Sequence, residues 1–235
     1  MPIIYPAQYK DRFGTESTII IDDNRSIKLT LRGIEFSGGY FSLSVVSGAN
    51  PDLTKPFYFF EDELCAYSLD FELPIIVINK GKEIETKLRT RMECGQPIES
   101  TGWTVHKRYK DGRTEKETER IDSYSVSFEI EIEDKIYKVS HPHGGFETPL
   151  IELSKQFPSE VYLKICLNCM LSEYPPNILG GAGLRCFKNA KNELKQVNQV
   201  KGNNGFLTLW IEKGLDVDET YFCTEFERRP PFVWR

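Results

Sequence analysis

The chain reads as a mainly β protein, or α+β if its elements are counted, built from antiparallel sandwich-like sheets with two short helices and a cysteine-rich zinc knot near the C-terminus. Three observations predict this. Cys65, Tyr67, Leu69, Phe71 and Leu73 alternate with Ala66, Ser68, Asp70 and Glu72, the two-residue period of a half-buried strand. Tyr124, Val126, Phe128, Ile130 and Ile132 alternate as cleanly with serines and glutamates. Cys166, Cys169, Cys186 and Cys223 have the count, and in their C-x-x-C pair half the spacing, of a four-thiolate zinc site.

The elements follow in order. Ser17–Asp22 and Ser26–Arg32 are short runs separated by the polar turn Asp23-Asn24-Arg25, which predicts an antiparallel pair. Gly38-Gly39 and residues 47–51 bracket an aromatic strand, Tyr40–Val46, and Pro56–Phe60 is a further short apolar run. After the turn Asn79-Lys80-Gly81-Lys82, the residues Ile84, Leu88, Met92 and Cys94 recur on even positions and return antiparallel to the Cys65–Leu73 strand. Lys107–Arg120 reads as a charged loop, and Glu133-Asp134-Lys135 as the turn joining Tyr124–Ile132 to Ile136–Val139. Pro149 behind Thr148 starts a helix with an apolar stripe of Leu150, Ile151, Leu153 and Phe157, which Pro158 stops. A strand over Val161–Cys166, a Pro/Gly-rich loop from Ser172 to Gly183, a helix over Phe187–Val197 and a strand over Phe206–Ile211 complete the chain.

A chain of 235 residues, 40% hydrophobic and 12% aromatic, buries a substantial core as one continuous domain or two packed lobes. The boundary falls near residue 160, with a β-rich part over 1–160 and a cysteine-containing lobe over 161–235. The net charge is −5 and no segment is a basic arm, so counterion release along a phosphate track has no cationic surface to work with, and nucleic acid is excluded as the default partner. Met1-Pro2-Ile3-Ile4-Tyr5-Pro6 lacks the basic and apolar regions of a signal peptide, and no apolar run is long enough to span a bilayer, which predicts a cytoplasmic chain without a membrane partner. In a reducing compartment its six cysteines are thiols or metal ligands before they are disulfides.

Two thiolates separated by two residues reach one zinc ion from a tight turn, which suits Cys166 and Cys169. Cys186 and Cys223 supply the third and fourth sulfurs singly. A Pro/Gly-rich loop poor in large apolar residues lies inside this ring and gains from coordination an order that packing does not give it. The leading reading is a structural Zn2+ held by Cys166, Cys169, Cys186 and Cys223. Buried free thiols come next, and redox or disulfide chemistry last. A closed four-thiolate site has no open position and stabilises without catalysing.

Other features have weaker claims. His141-Pro142-His143 sets two imidazoles one residue apart, as a metal or acid-base pair or simply a polar turn. Cys65 or Cys94 with His106, His141 or His143 is arithmetically a nucleophile-base pair, but the spacing selects none and both cysteines sit on apolar strand faces. Gly180-Gly181-Ala182-Gly183 lacks the Lys-Ser/Thr of a phosphate loop and reads as turn chemistry. His106-Lys107-Arg108-Tyr109-Lys110 with Arg113 is interleaved with Asp111, Glu115, Glu117 and Glu119, a solvated hairpin tip before a nucleic-acid grip. Glu225, Glu227, Arg228 and Arg229 read as a surface ion-pair network.

The run Cys166-Leu-Asn-Cys169, then Cys186-Phe187-Lys188, then Tyr221-Phe222-Cys223-Thr-Glu225-Phe226-Glu227-Arg228-Arg229 resembles an uncharacterised bacterial family known only as a domain of unknown function. Tyr9–Glu16 and Leu69–Leu73 extend the resemblance over nearly the whole chain. It implies a bacterial source, singles out the four cysteines, and brings no activity or catalytic residue.

These readings lead to a non-enzymatic, zinc-stabilised protein-interaction module, of immunity or accessory type by analogy, with a protein partner. The alternative is a hydrolase-like enzyme using His141 and His143. The weaker alternative is a zinc-supported nucleic-acid binder using Lys107, Arg108, Lys110 and Arg113.

Overall fold

The computed structural model describes residues 2–46, 54–60, 62–98, 104–108, 114–118, 121–142, 145–174, 183–199 and 205–230. A single antiparallel sheet organises them. Its strands are β1 (Ile3–Asp11), β2 (Gly14–Asp22), β3 (Ile27–Leu31), β4 (Ile34–Gly39), β5 (Ser42–Val45), β6 (Tyr58–Phe60), β7 (Glu63–Cys65), β8 (Tyr67–Asn79) and β9 (Lys82–Ile98). Beyond the hairpin β10 (Thr104–Arg108) and β11 (Thr114–Thr118), the sheet resumes with β12 (Ile121–Ile132), β13 (Lys135–His141) and β14 (Val161–Leu163).

Its order is β13-β12-β9-β8-β1-β2-β3-β4-β5-β7-β6, with β14 on the far end of β8. Two-residue turns set the register. Arg32-Gly33, Lys80-Gly81 and Glu133-Asp134 all have positive φ at both positions, the twist that matches flanking right-handed strands. The expected pairings of β2 with β3, β8 with β9 and β12 with β13 are all present.

The predicted sandwich is replaced by a curled sheet. Strand β7 pairs with β5 and runs through Ala66, at φ 56°, straight into β8, whose neighbour is β1. The path β8-β1-β2-β3-β4-β5-β7 therefore comes back along the chain to the strand it began from, while β13 and β6 stay the end strands of the sheet. The alternation seen in the sequence fills the inside: Tyr9 stacks on Tyr67 at 5.7 Å, and Phe36 meets Phe57 edge-on at 5.1 Å. Period-two patterning specifies a half-buried strand without saying whether its apolar face meets a second sheet or the same sheet curled round.

Strands β9, β12 and β13 extend from β8 as a wing, and helix α1 (Glu147–Lys155) lies on β12 and β13. Phe146, at the helix entrance, touches Tyr40, Phe41 and Phe128, tying the β4–β5 turn to the wing. Leu88, Met92 and Cys94 share the inner face as predicted, whereas Ile84 is 36% exposed. On the outer face charges pair across strands, Arg89 with Glu129 at 2.7 Å and Lys138 with Glu129 at 2.6 Å, over an open concavity of about 880 Å³.

The C-terminal segment contains the small sheet β15 (Ser172–Glu173), β16 (Arg185–Cys186) and β17 (Leu215–Asp216), with helices α2 (Lys191–Gln199) and α3 (Gly205–Lys213). There are three helices among the described residues where two were expected. The predicted strand over Phe206–Ile211 is α3: Phe206, Leu209 and Trp210, at helical spacing, face Phe187 and Leu194, and Ile211 is exposed. The run Phe-Leu-Thr-Leu-Trp-Ile is apolar but for Thr208, so its periodicity does not separate a strand from a helix. The expected loop over Lys107–Arg120 contains parts of the β10–β11 hairpin.

Candidate metal centre

Strand β14 ends at Leu163, and the chain then tightens into one 3-10 turn in which the Cys169 N–H donates to the Cys166 carbonyl at 3.0 Å. That turn sets the two cysteines of the C-x-x-C pair beside each other. The returning tail clamps it on both sides. The Cys166 N–H donates to Tyr221 O, the Met170 N–H to Glu227 O at 2.8 Å, and the Arg229 N–H to Asn168 O at 2.8 Å. Cys223 lies between the Tyr221 and Glu227 contacts. Cys186 arrives from a third direction, paired with Ser172 across β15 and β16.

The four predicted ligands are thus gathered into one neighbourhood. Cys166, Cys169 and Cys186 are buried and Cys223 is half-buried, all as free thiols. The Cys166 and Cys186 thiols hydrogen-bond to each other, which with burial pushes Cys166 well above the ordinary thiol range. Cys186 moves down, chiefly through that bond and further through the Lys188 N–H directed at its sulfur. Burial pushes Cys169 up, against the Glu227 and Leu171 N–H groups that point at its sulfur, and Cys186 and Cys223 also act on it. The N–H groups of Leu171 and Lys188 each belong to the residue two positions beyond the sulfur they serve.

The closed zinc knot itself is not supported. Among the described residues no group of three or more His, Cys, Asp or Glu side chains is disposed to hold a metal ion. As arranged, Cys166 and Cys186 satisfy each other as thiols, and Cys169 packs into a small core with Leu171, Phe187, Ala190, Leu194, Leu209 and Trp210.

Charged side chains brace this core. Lys191 reaches Glu225 at 2.9 Å and Glu227 at 3.0 Å, Arg228 lies over the Tyr162 ring at 3.9 Å, and Arg229 donates to the Ser172 and Cys169 carbonyls. The Glu225–Arg229 segment is the ion-pair network expected of it. Arg185 was not anticipated: it stacks on Trp210 at 3.9 Å, donates to the Trp210 carbonyl at 2.7 Å and pairs with Asp216 at 2.7 Å. Nothing in the spacing of 185, 210 and 216 announces that set, and the same holds for the contact of Asp22 with Asp218.

The remaining candidates are placed only in part. His141 ends β13 opposite Val126, half-buried, while His143 lies outside the described residues, so the imidazole pair is not placed. Cys65 and Cys94 are buried, Cys94 opposite Tyr67 with its sulfur 3.8 Å from Leu64 O. The side chains of His106, Lys107 and Arg108, and all of Lys110, Arg113 and Gly180–Ala182, lie outside the described residues. No described helix is long and apolar enough to cross a membrane.

The profile of a family of unknown function, DUF6304, matches residues 3–172, and the chain belongs to that family. The match takes in the curled sheet, the wing, Cys166 and Cys169, and stops before Cys186 and Cys223. No curated protein and no solved structure matches the chain.

Proposed function

We propose that this member of DUF6304 is a non-enzymatic protein-interaction module of immunity or accessory type, whose C-terminal segment is braced by a structural Zn2+ bound to Cys166, Cys169, Cys186 and Cys223. One observation supports the metal: four cysteines from three stretches lie in one neighbourhood around a tight turn, and two of their sulfurs face backbone N–H groups two residues further on. Such N–H donors stabilise thiolate over thiol, which is the form that binds zinc. Taking up the ion requires the Cys166–Cys186 hydrogen bond to open and the thiols to turn inward with loss of their protons. A four-thiolate shell leaves no position for substrate, so its contribution is to fold. The interaction role rests on the acidic, aromatic-rich composition and on a metal site that would have no open position. The incompletely described His141/His143 and Lys107–Arg113 regions add nothing to this reading.

The test is metal content per chain in the purified protein and in Cys169→Ser. About one zinc per chain, falling sharply in the variant, supports the ligand set. A chain purified free of zinc that also fails to take it up when reduced, or an unchanged content in Cys169→Ser, removes it.

A further inference from the structure

Away from the thiols, the C-terminal segment meets the curled sheet through two aspartates. Asp22 closes β2 and is buried; its Oδ1 accepts the Asn24 N–H at 2.7 Å, and its Oδ2 accepts the Tyr40 hydroxyl at 2.6 Å and the Tyr5 hydroxyl at 3.4 Å. The two tyrosine hydroxyls are also in hydrogen-bond contact with each other. Asp218 follows β17. Its N–H donates to the Asn24 carbonyl at 3.1 Å, its carboxyl shares a hydrogen bond with that of Asp22, and its buried Oδ2 has no hydrogen-bond partner.

Two ionised carboxylates do not hydrogen-bond; one of the pair must keep a proton. Asp218, which burial and the facing Asp22 both favour in its neutral form and whose Oδ2 meets no donor, is the one that keeps it. The other charged groups acting on Asp218 are Asp23, in the turn beyond β2, and its neighbour Glu219, both of which favour the neutral form. Glu219 in turn accepts the Tyr174 hydroxyl at 3.0 Å and faces Glu147 of α1. Tyr5 and Tyr40 are held far above their ordinary range, chiefly by burial, so neither hydroxyl ionises in place of the aspartates.

We propose that Asp22 and Asp218 share one proton and form a pH-sensitive latch between the curled sheet and the segment 214–221. That segment also accepts the Leu167 N–H at Glu219 O and the Cys166 N–H at Tyr221 O, so it leads from the sheet to the C-x-x-C turn. Burial, then Asp22, raise the Asp218 carboxyl to about 7, which puts the loss of the proton in the neutral range. Below that range the latch is closed; above it two facing carboxylates push the segment off the sheet. This inference is independent of any metal.

The experiment is hydrogen exchange of the full chain at about pH 5.5 and about pH 8.5, corrected for intrinsic rates, together with a carbon-13 titration of the aspartate carboxyls. Expected are one aspartate with a midpoint near neutrality, lost in Asp218→Asn, and roughly tenfold faster exchange over 214–221 at the higher pH. Asp218→Asn keeps a donor toward Asp22 and should exchange slowly at both. Should Asp218→Asn not fold, the wild-type titration and exchange decide alone. All aspartates titrating in the ordinary acid range, or equal protection of 214–221 at both pH values, overturns the latch.

Discussion

Arg32 grips Asp11 with two parallel hydrogen bonds, Nη1 to Oδ2 and Nη2 to Oδ1, both at 2.7 Å. The guanidinium also lies 5.0 Å from the Phe57 ring and 5.6 Å from that of Tyr9, and the Asp11 side chain is only 5% exposed. Arg32 stands in the turn after β3 and Asp11 at the end of β1, so the pair ties two hairpin ends across β2. Lysine keeps the charge but loses the fork and the stacking, and Arg32→Lys should cost about 1–2 kcal/mol in chemical denaturation. Arg32→Ala, which leaves Asp11 without its cation, should cost about 2–3 kcal/mol. A lysine variant as stable as wild type would show the fork to be idle.

The same pair sets a pH dependence. Burial alone would raise the Asp11 carboxyl, but the hydrogen bonds from Arg32, the Phe13 N–H and the Tyr9 hydroxyl outweigh it and hold the group below its usual range. A depressed folded-state value stabilises the protein above the unfolded value, near 3.9, and that stability is lost as pH falls through the folded value. Wild type should therefore lose stability more steeply than Asp11→Asn below about pH 4. Parallel stability curves for the two proteins in acid would refute this.

Gly38 and Gly39 are adjacent and should respond very differently. A Cβ on Gly38 would stand 1.9 Å from the Ser42 carbonyl oxygen, a backbone atom fixed by β4–β5 pairing, and its φ of 155° adds strain. A Cβ on Gly39 would meet only the Ser42 hydroxyl at 3.3 Å, and that side chain can turn away. Gly38→Ala should cost about 2–3 kcal/mol and Gly39→Ala under about 1 kcal/mol by thermal or urea unfolding.

What the sequence disclosed was whatever is encoded within about ten residues. The alternation through Leu69 and Phe71 and the turns at Lys80-Gly81 and Glu133-Asp134 fix strands and register locally, and all stand. The return of β7 into β8 through Ala66 is a long-range closure, and one positive φ at an ordinary alanine has no sequence signature. Helix α3 does not show in the pattern because Phe206–Ile211 is apolar at every position but Thr208. For the cysteines, spacing pointed to four residues that share one neighbourhood but not to their geometry, which depends on the tail folding back along Cys169 and Met170. The Asp22–Asp218 contact joins residues from opposite ends of the chain and was invisible for that reason.

Removal of the proposed metal gives the last prediction. If zinc closes the four sulfurs, a strong chelator should leave the amides of β8 and β9 protected, because that hairpin is paired along its whole length inside the curled sheet. The small core of Phe187, Leu194, Leu209 and Trp210 has few large residues and depends on the C-x-x-C turn for its position. Chelation should therefore speed exchange across α2 and α3, and change the fluorescence of Trp210, without a global unfolding transition. Zinc added back under reducing conditions should restore both signals, whereas calcium, which prefers oxygen ligands, should not. Equal protection of α2 and α3 with and without chelator would mean that packing alone holds the segment, with the thiols as inert members of its core.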